Sequence, residues 1–564
     1  MRARLSRWVL WAGQGVVLCA GAVILLFYVN RLFAELPLYA VDEGAYLIRA
    51  LYSRELAFNP ERYPAMQPVA NTLYFAIIRM VDALSMNVIP WMRLIGAASY
   101  FGGLALLYSI AARECGRKVA LGFLLIAGTF PYYRFAFAAM PEGVYVGLLS
   151  LIAFVLYRTS FSRPLLGAAL VGGLSGALVL VKPHGVVAAG AYAALCLVEV
   201  LFRQATLRSL AGRPVLFGLA FLTVGAGIEL AAGQSLNEAL GFFMGTAYAE
   251  HLGHAAAANA LSIAALSGAS MLALMAILLA IPLVAAGSVM LRKRGVVRLG
   301  PGDLTFLFLA LCLAGTLAMV TIFSFKMAAV DGETKRIWGR YFEFYVPMLW
   351  LLAARPVSAW EPSSTGRARA LAAGAILAGL VGLVGVFALG VQLFPWDGTA
   401  VTAFTSPDVM RAPFGYVGGS RVLAILATVA IAFATLAGLP VRRTWPAYFV
   451  ALGLLSTRAD DAWVGEVAQK WRLVEHELHV ASALIFDQPG PPVVVVNNAN
   501  EGHVAYLRLQ GNAVVRIESV EPSPVEALRA AQSAIILSDR TLGPKWRKVF
   551  SGRTMTAYVK EPAR

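Results

Sequence analysis

Charge is what this sequence has least of. Of its 564 residues only 14% are Asp, Glu, Lys or Arg, against about a quarter in soluble domains. A soluble globule, a disordered tail and a coiled coil are therefore poor readings. Cysteine is scarce as well. Cys19, Cys115, Cys196 and Cys312 lie in three apolar runs and one basic loop, so neither a disulfide framework nor a CxxC metal site is available. There is no glycine-rich phosphate loop, no internal repeat and no long low-complexity segment. No small-residue cleavage site follows the first apolar run, so Trp8–Val29 reads as a retained span.

What is abundant is apolar: 59% of residues are hydrophobic and the mean hydropathy is +0.70. The runs are long, as in Val16–Tyr28, Leu371–Leu393 and Leu423–Leu439. An all-α polytopic membrane protein is the comfortable reading. A window of roughly 19 residues gives about thirteen spans. They fall near 8–29, 89–112, 119–133, 143–157, 165–181, 185–202, 214–232, 264–291, 304–325, 341–354, 370–393, 420–439 and 444–457.

The net charge of +16 comes from 47 Lys plus Arg against 31 Asp plus Glu. Spread over one face, such an excess would suggest nucleic acid. Here the cations form short clusters between apolar runs. Arg2, Arg4 and Arg7 precede the first span, Arg113, Arg117 and Lys118 follow the second, and Arg442 and Arg443 follow the twelfth. With these spans every cluster falls on the side of the N-terminus, which the positive-inside rule makes cytoplasmic. No nucleic-acid partner is implied; the lipid bilayer is. The chain then divides into a transmembrane domain, 1–457, with a long first outer loop at 30–90, and a soluble tail, 458–564. The tail reads as a small α/β domain: Trp463–Phe486 has helical spacing, while Val493–Val496, Ala534–Leu537 and Thr554–Val559 look like strands. An odd span count places it outside the cytoplasm.

The span interiors are nearly free of charge, unlike most transporters. Unusual polar residues gather instead in the outer segments. The first outer loop opens with Asp42-Glu43 at the start of a helical pattern running to Ser53. A cap with a first-turn acid explains that equally well. Val69–Leu84 reads as an interfacial helix. A second segment carries Arg134 and Pro141-Glu142 among aromatics, and a third is the turn Lys182-Pro183-His184-Gly185. A local ion pair or a snorkelling lysine would account for each. The fourth runs from Lys326 to Tyr345 and holds Lys335, Arg336 and Arg340. Four cations in one outer loop break the charge rule, and an anionic ligand is the simplest reason. Glu250-His251 with His254 has the spacing of a weak metal site. A surface cluster is the plainer reading there, and a divalent metal stays open as the one conceivable cofactor.

In this order the four segments resemble the GT-C superfamily of polyprenyl-phosphate-sugar-dependent glycosyltransferases, and within it the protein O-mannosyltransferase and lipid A aminoarabinose transferase branch. Asp42-Glu43 matches that family's pair after the first span. Tyr63-Pro64 and Arg93 match the approach to the second, and Arg134 with Pro141-Glu142 a later outer segment. Lys182–Gly185 and Arg340-Tyr341 with Pro347 complete the set, which covers most of residues 1–350. Ala65-Met66-Gln67-Pro68 stands where some members carry Lys-Pro-Pro, and this departure points away from a close lipid A aminoarabinose transferase.

The resemblance implies an inverting transferase at the outer face of the cytoplasmic membrane. Its donor is a polyprenyl-phosphate sugar, and its acceptor a glycan, glycolipid or protein. Asp42 would take the acceptor's proton, with Glu43 as orienter. Arg340 leads the donor-binding set, with Lys182, His184, Arg134, Glu142, Arg336 and Tyr341. The competing class is a transporter or flippase of lipid-linked sugars, which has no need of the acidic pair. A reporter fused after Thr457 should be active only outside the cytoplasm. Cytoplasmic activity there would mean a miscounted span, with 444–457 the first suspect.

Overall fold

The computed structural model of the chain describes residues 2–33, 41–52, 71–84, 88–202, 212–241, 260–293, 299–326, 336–363, 366–391, 397–404, 417–485, 493–496, 516–519, 532–536 and 542–561. Helices dominate. The first outer loop supplies α2 (Val41–Tyr52) and α3 (Thr72–Leu84), after α1 (Arg2–Leu32). Next come α4 (Val88–Cys115), α5 (Arg117–Gly128), α6 (Tyr133–Ala136), α7 (Pro141–Thr159), α8 (Pro164–Val181) and α9 (Val187–Leu201). The bundle continues with α10 (Gly212–Ala231), α11 (Leu236–Gly241), α12 (Ala260–Lys293), α13 (Pro301–Lys326), α14 (Tyr345–Leu352) and α15 (Ala354–Ser363). It closes with α16 (Gly366–Ala388), α17 (Thr399–Thr402), α18 (Val417–Leu436) and α19 (Val441–Ile485).

Among the described residues nine helices are long and apolar enough to cross a membrane. The expected spans near 119–133 and 341–354 come out differently. They hold α5, with 12 residues, and α14, with 8, which are about 18 and 12 Å long at 1.5 Å per residue. Neither covers a hydrocarbon core of about 30 Å. Hydropathy cannot tell a helix facing lipid from one buried among other helices, and α14 is buried over its whole length. The rest of each stretch is irregular backbone. Residues 129–140 are all buried, and non-helical chain survives at membrane depth only where protein surrounds it.

Helices that must approach closely do so through glycine. On α7, Gly143 and Gly147 sit one turn apart, and a Cβ on either would strike the backbone of α4 at Gly96 and Ser99. Gly172 and Gly176 of α8 meet the backbone of α10 at Phe217 and Phe221 in the same way. Small residues four apart let membrane helices pack where the hydrophobic effect supplies no drive.

The two ends of the bundle differ chemically. At one end Glu114, at the close of α4, accepts hydrogen bonds from Arg355 (2.8 Å) and from the Tyr157 hydroxyl (3.0 Å). These belong to loops expected on the cytoplasmic side. Arg93 lies near the start of the same helix, 21 residues away, or about 32 Å. Around it gather the polar outer segments.

The tail forms a five-stranded sheet of β1 (Val493–Val496), β2 (Arg516–Ser519), β3 (Ser533–Ile536), β4 (Trp546–Ser551) and β5 (Thr556–Lys560), in the order β2-β1-β3-β5-β4. β1 runs parallel to β2 and β3, while β5 is antiparallel to β3 and β4. The boundary expected at 457/458 falls within the continuous helix α19. A small core of Leu47, Ile78, Val474, Ile535 and Ala557 joins α2 and α3 to α19 and the sheet. The sheet thus packs at the end of the bundle that carries the polar segments.

Glu477 of α19 fastens the β4–β5 turn. Its carboxylate accepts from the backbone N–H groups of Arg553 (2.6 Å), Thr554 (2.7 Å) and Met555 (3.2 Å) and from the Thr554 hydroxyl (2.6 Å). Burial opposes its charge, but these donors outweigh burial and hold the carboxyl below the usual glutamate range. A depressed carboxyl adds stability that is present above its unfolded pKa, about 4.3, and lost as pH falls through the folded value. At pH 7 Glu477→Gln should therefore speed hydrogen exchange at the 553–555 amides by on the order of tenfold, and the gap from wild type should close below about pH 4. Equal exchange at pH 7 would show that the turn is held by other contacts.

Candidate active site

Five segments meet at the polar end, linked by buried ion pairs. The first is the opening turn of α2. It contains Asp42 and Glu43; the Asp42 side chain lies outside the described residues. Glu43 is fully buried. Its two oxygens accept from Arg93 Nε and Nη2, both at 2.9 Å, and Oε1 also accepts from the Ala139 N–H at 2.6 Å. Arg93 further donates to the carbonyl of Arg31 at 3.0 Å. One carboxylate therefore holds α2 against α4, the end of α1 and the 137–140 turn. This geometry suits an orienter more than a proton acceptor, since both oxygens are already taken by the two-pronged guanidinium and the Ala139 N–H.

Pro141 starts α7, where its fixed φ and missing N–H cost nothing. That places Glu142 in the first turn, facing α8. Lys182, at the C-terminal cap of α8, donates to Glu142 Oε1 at 2.5 Å. Its Nζ also stands 4.3 Å from the centroid of the Tyr341 ring. Pro183 ends α8 and begins a 3-10 turn, Pro183–Val186, that carries His184. His184 packs on Tyr145 (4.6 Å) and edge-on to Tyr341 (5.6 Å).

Tyr341 is the meeting point. Arg340 lies over the same ring at 5.0 Å and donates to the Tyr341 hydroxyl at 3.1 Å. The Arg340 backbone is gripped on both sides: its N–H donates to the Asp397 carbonyl, and its own carbonyl accepts from the Tyr132 hydroxyl at 2.9 Å. Lys182, His184, Arg340 and Tyr341 thus form one cluster, with Glu142 offsetting Lys182. This cluster of cations and aromatics can hold an anion.

The other two expected cations are engaged elsewhere. Arg134 bonds Asp460 of α19 at 2.5 Å, both fully buried, and lies over Phe135 at 4.8 Å. Arg336 bonds Asp397 at 2.6 Å and stacks on Trp338 at 3.8 Å. Both were expected among the donor-binding residues; here each is paired with a buried carboxylate. Lys335, the 63–68 stretch and the Glu250, His251, His254 group lie outside the described residues, as does the Lys326 side chain. Among the described residues no three His, Cys, Asp or Glu gather to hold a metal.

Sequence reasoning missed Asp397 and Asp460, and gave no role to Glu343 in the fourth outer segment. Glu343 accepts from the N–H groups of Ala400 and Val401 at 3.0 Å, which caps α17. A Cβ on Gly398 would occupy the place of its carboxylate. The available signal was an excess of acids next to apolar runs, as in Asp460-Asp461, with no solvated loop to explain them.

No family model and no curated protein sequence matches the chain. Solved structures do. The fold is similar to that of ArnT from Cupriavidus metallidurans bound to undecaprenyl phosphate, at 15% identity, covering 96% of this chain and 98% of that one, with a TM-score of 0.56. The apo state of the same protein aligns at 14% identity over 97% and 98%, with a TM-score of 0.53. The chain has the GT-C fold.

Glu43→Gln keeps the shape but leaves Arg93 buried beside half a partner. It should cost on the order of 3–5 kcal/mol of stability, seen as a lower melting temperature of the purified protein. An unchanged melting temperature would mean that the Glu43–Arg93 pair does not hold α2 in place.

Proposed function

We propose that this chain transfers a sugar from a polyprenyl-phosphate donor to an acceptor hydroxyl, with inversion, at the outer face of the cytoplasmic membrane. The observation that carries this reading is the convergence of Lys182, Arg340 and Tyr341 beside the turn that Glu43 ties to α2. An anion site and an acidic helix start meet at one end of a membrane-spanning bundle. The fold adds support, since the similar ArnT structure holds undecaprenyl phosphate.

The chemistry follows from these groups. A hydroxyl is a weak nucleophile until a base takes its proton, and Asp42 is assigned that role. It stands in the first turn of α2, next to Glu43. The acceptor oxygen forms a bond to the anomeric carbon as the bond from that carbon to the phosphate oxygen breaks. The electron pair leaves with the lipid phosphate. Lys182 and Arg340 would meet the charge that develops there, which stabilises the transition state more than the bound donor. A single displacement inverts the anomeric centre. The tail, domain 458–564, is extracytoplasmic in this reading and is not the seat of the chemistry.

Purified protein given a panel of polyprenyl-phosphate sugars should release the lipid phosphate only when an acceptor is present, and the product's anomeric configuration should be opposite to the donor's. Asp42→Asn should lower turnover by about 10²–10⁴-fold while donor binding and melting temperature stay at wild-type values. Near-wild-type turnover in that variant would remove Asp42 as the base. Retention of configuration would remove the single displacement.

A further inference from the structure

Among the described residues, three buried polar atoms on α3, the residue before it and the start of α7 have no hydrogen-bond partner: Asn71 Oδ1, Tyr74 OH and Glu142 Oε2. Their residues are at most 2% exposed. An isolated orphaned hydroxyl in a core is common enough. An acceptor-only oxygen is different, because it costs its full desolvation with nothing in return. Among the described residues only two such oxygens are orphaned, those of Asn71 and Glu142, and the other polar atom of each side chain is tied to Val181 or Lys182. Asn71 Nδ2 donates to the Val181 carbonyl at 2.6 Å, one residue before Lys182. Lys182 in turn donates to Glu142 Oε1. The Asn71 amide cannot be flipped, since a carbonyl accepts only from its NH2 side, so Oδ1 is the atom left over.

Tyr74 belongs to the same place. Asn71 precedes the first residue of α3, and its carbonyl accepts from the Phe75 N–H at 2.8 Å. Tyr74 is three residues on, so both side chains share one face. Burial pushes the Tyr74 phenol well above its usual pKa, and the nearby carboxylates of Glu142 and Glu43 push it the same way. Tyr46 braces the ring edge-on at 5.8 Å. Thr72 fixes the start of α3 by bonding Glu229 of α10 at 2.7 Å.

The chemistry that could answer these atoms follows. Two acceptor-only oxygens require a partner that brings hydrogens. A phosphate brings only acceptors and would be repelled by Glu142, so these atoms do not belong to the anion site around Arg340. A polyol satisfies all three at once: two of its hydroxyls donate to Asn71 Oδ1 and Glu142 Oε2, and one accepts from Tyr74.

We infer that Asn71 and Tyr74, with Glu142 Oε2, form the subsite that reads the hydroxyls of the transferred sugar. The inference rests on the donor proposed above and specifies how its sugar is told from the bare lipid. The subsite confers selectivity by leaving buried polar atoms unpaired when the wrong sugar binds, a penalty that can exceed a hundredfold.

The test compares binding of bare polyprenyl phosphate with binding of polyprenyl-phosphate sugars, including deoxy forms, to full-length wild type, Tyr74→Phe and Asn71→Leu. Wild type should bind the preferred sugar-bearing lipid more tightly than the bare lipid. Tyr74→Phe should lose about tenfold of that advantage, bind the bare lipid unchanged, and melt at or above the wild-type temperature, because an unsatisfied hydroxyl has been removed. One deoxy donor should be indifferent to the substitution. A Tyr74→Phe variant that melts lower would show a structural partner for the hydroxyl and overturn the inference. Equal binding of bare and sugar-bearing lipid by wild type would overturn it too. A wild type that prefers the sugar-bearing lipid yet transfers nothing upholds the subsite and removes the transferase reading instead.

Discussion

A charge inside an apolar bundle must find a partner, and most of what is particular to this protein follows from that. Four buried pairs meet the requirement: Glu43 with Arg93, Arg134 with Asp460, Lys182 with Glu142, and Arg336 with Asp397. Each joins segments far apart in the chain, from 40 residues for Lys182 to 326 for Arg134. Such pairs add little net stability compared with apolar residues of the same volume, because desolvation consumes most of the attraction. What they provide is position. Breaking one strands its partner, so alternatives in which these segments shift are strongly disfavoured.

The same constraint explains the two incomplete crossings. The chain that follows α5 and the chain that precedes α14 are broken into single helical turns and irregular backbone, and they carry Arg134, Arg336, Arg340 and Tyr341. A regular helix satisfies its own backbone and leaves only side chains to offer. An irregular segment has carbonyl and N–H groups to spare. Here they accept from Tyr132 and donate to Asp397 around Arg340. The bundle tolerates this because neighbouring helices, drawn close through glycine, exclude lipid from both segments.

Two kinds of polar group therefore coexist at the site end. Arg134, Arg336 and Glu43 are bound up in pairs that hold the frame. Lys182, Arg340 and Tyr341 face one another in the cluster proposed to meet the donor's phosphate. Among the described residues, Asn71, Tyr74 and Glu142 carry buried polar atoms without a hydrogen-bond partner. These groups lie along α3, α7 and the turn after α8, next to the Glu43 pair of α2.

Much of this was legible in the sequence for a simple reason: lipid permits few solutions. Apolar length announced the long helices α4, α8, α12 and α13, and clustered cations announced one end of the bundle. The ordered set of Asp42-Glu43, Arg134, Lys182 and Arg340 was equally visible, because charge beside an apolar run is rare enough to notice. Val493–Val496 and its neighbours declared strands by composition. Partnership was not legible. Nothing in the local sequence tells Arg340, which faces Tyr341 and Lys182, from Arg336 four residues earlier, which is spent on Asp397. Nor does hydropathy distinguish α14 inside the protein from a helix facing lipid, since both need apolar side chains. Composition decides that a segment leaves water. Only the packed structure decides which charge meets which, because an ion pair depends on distances of a few ångströms between residues hundreds of positions apart.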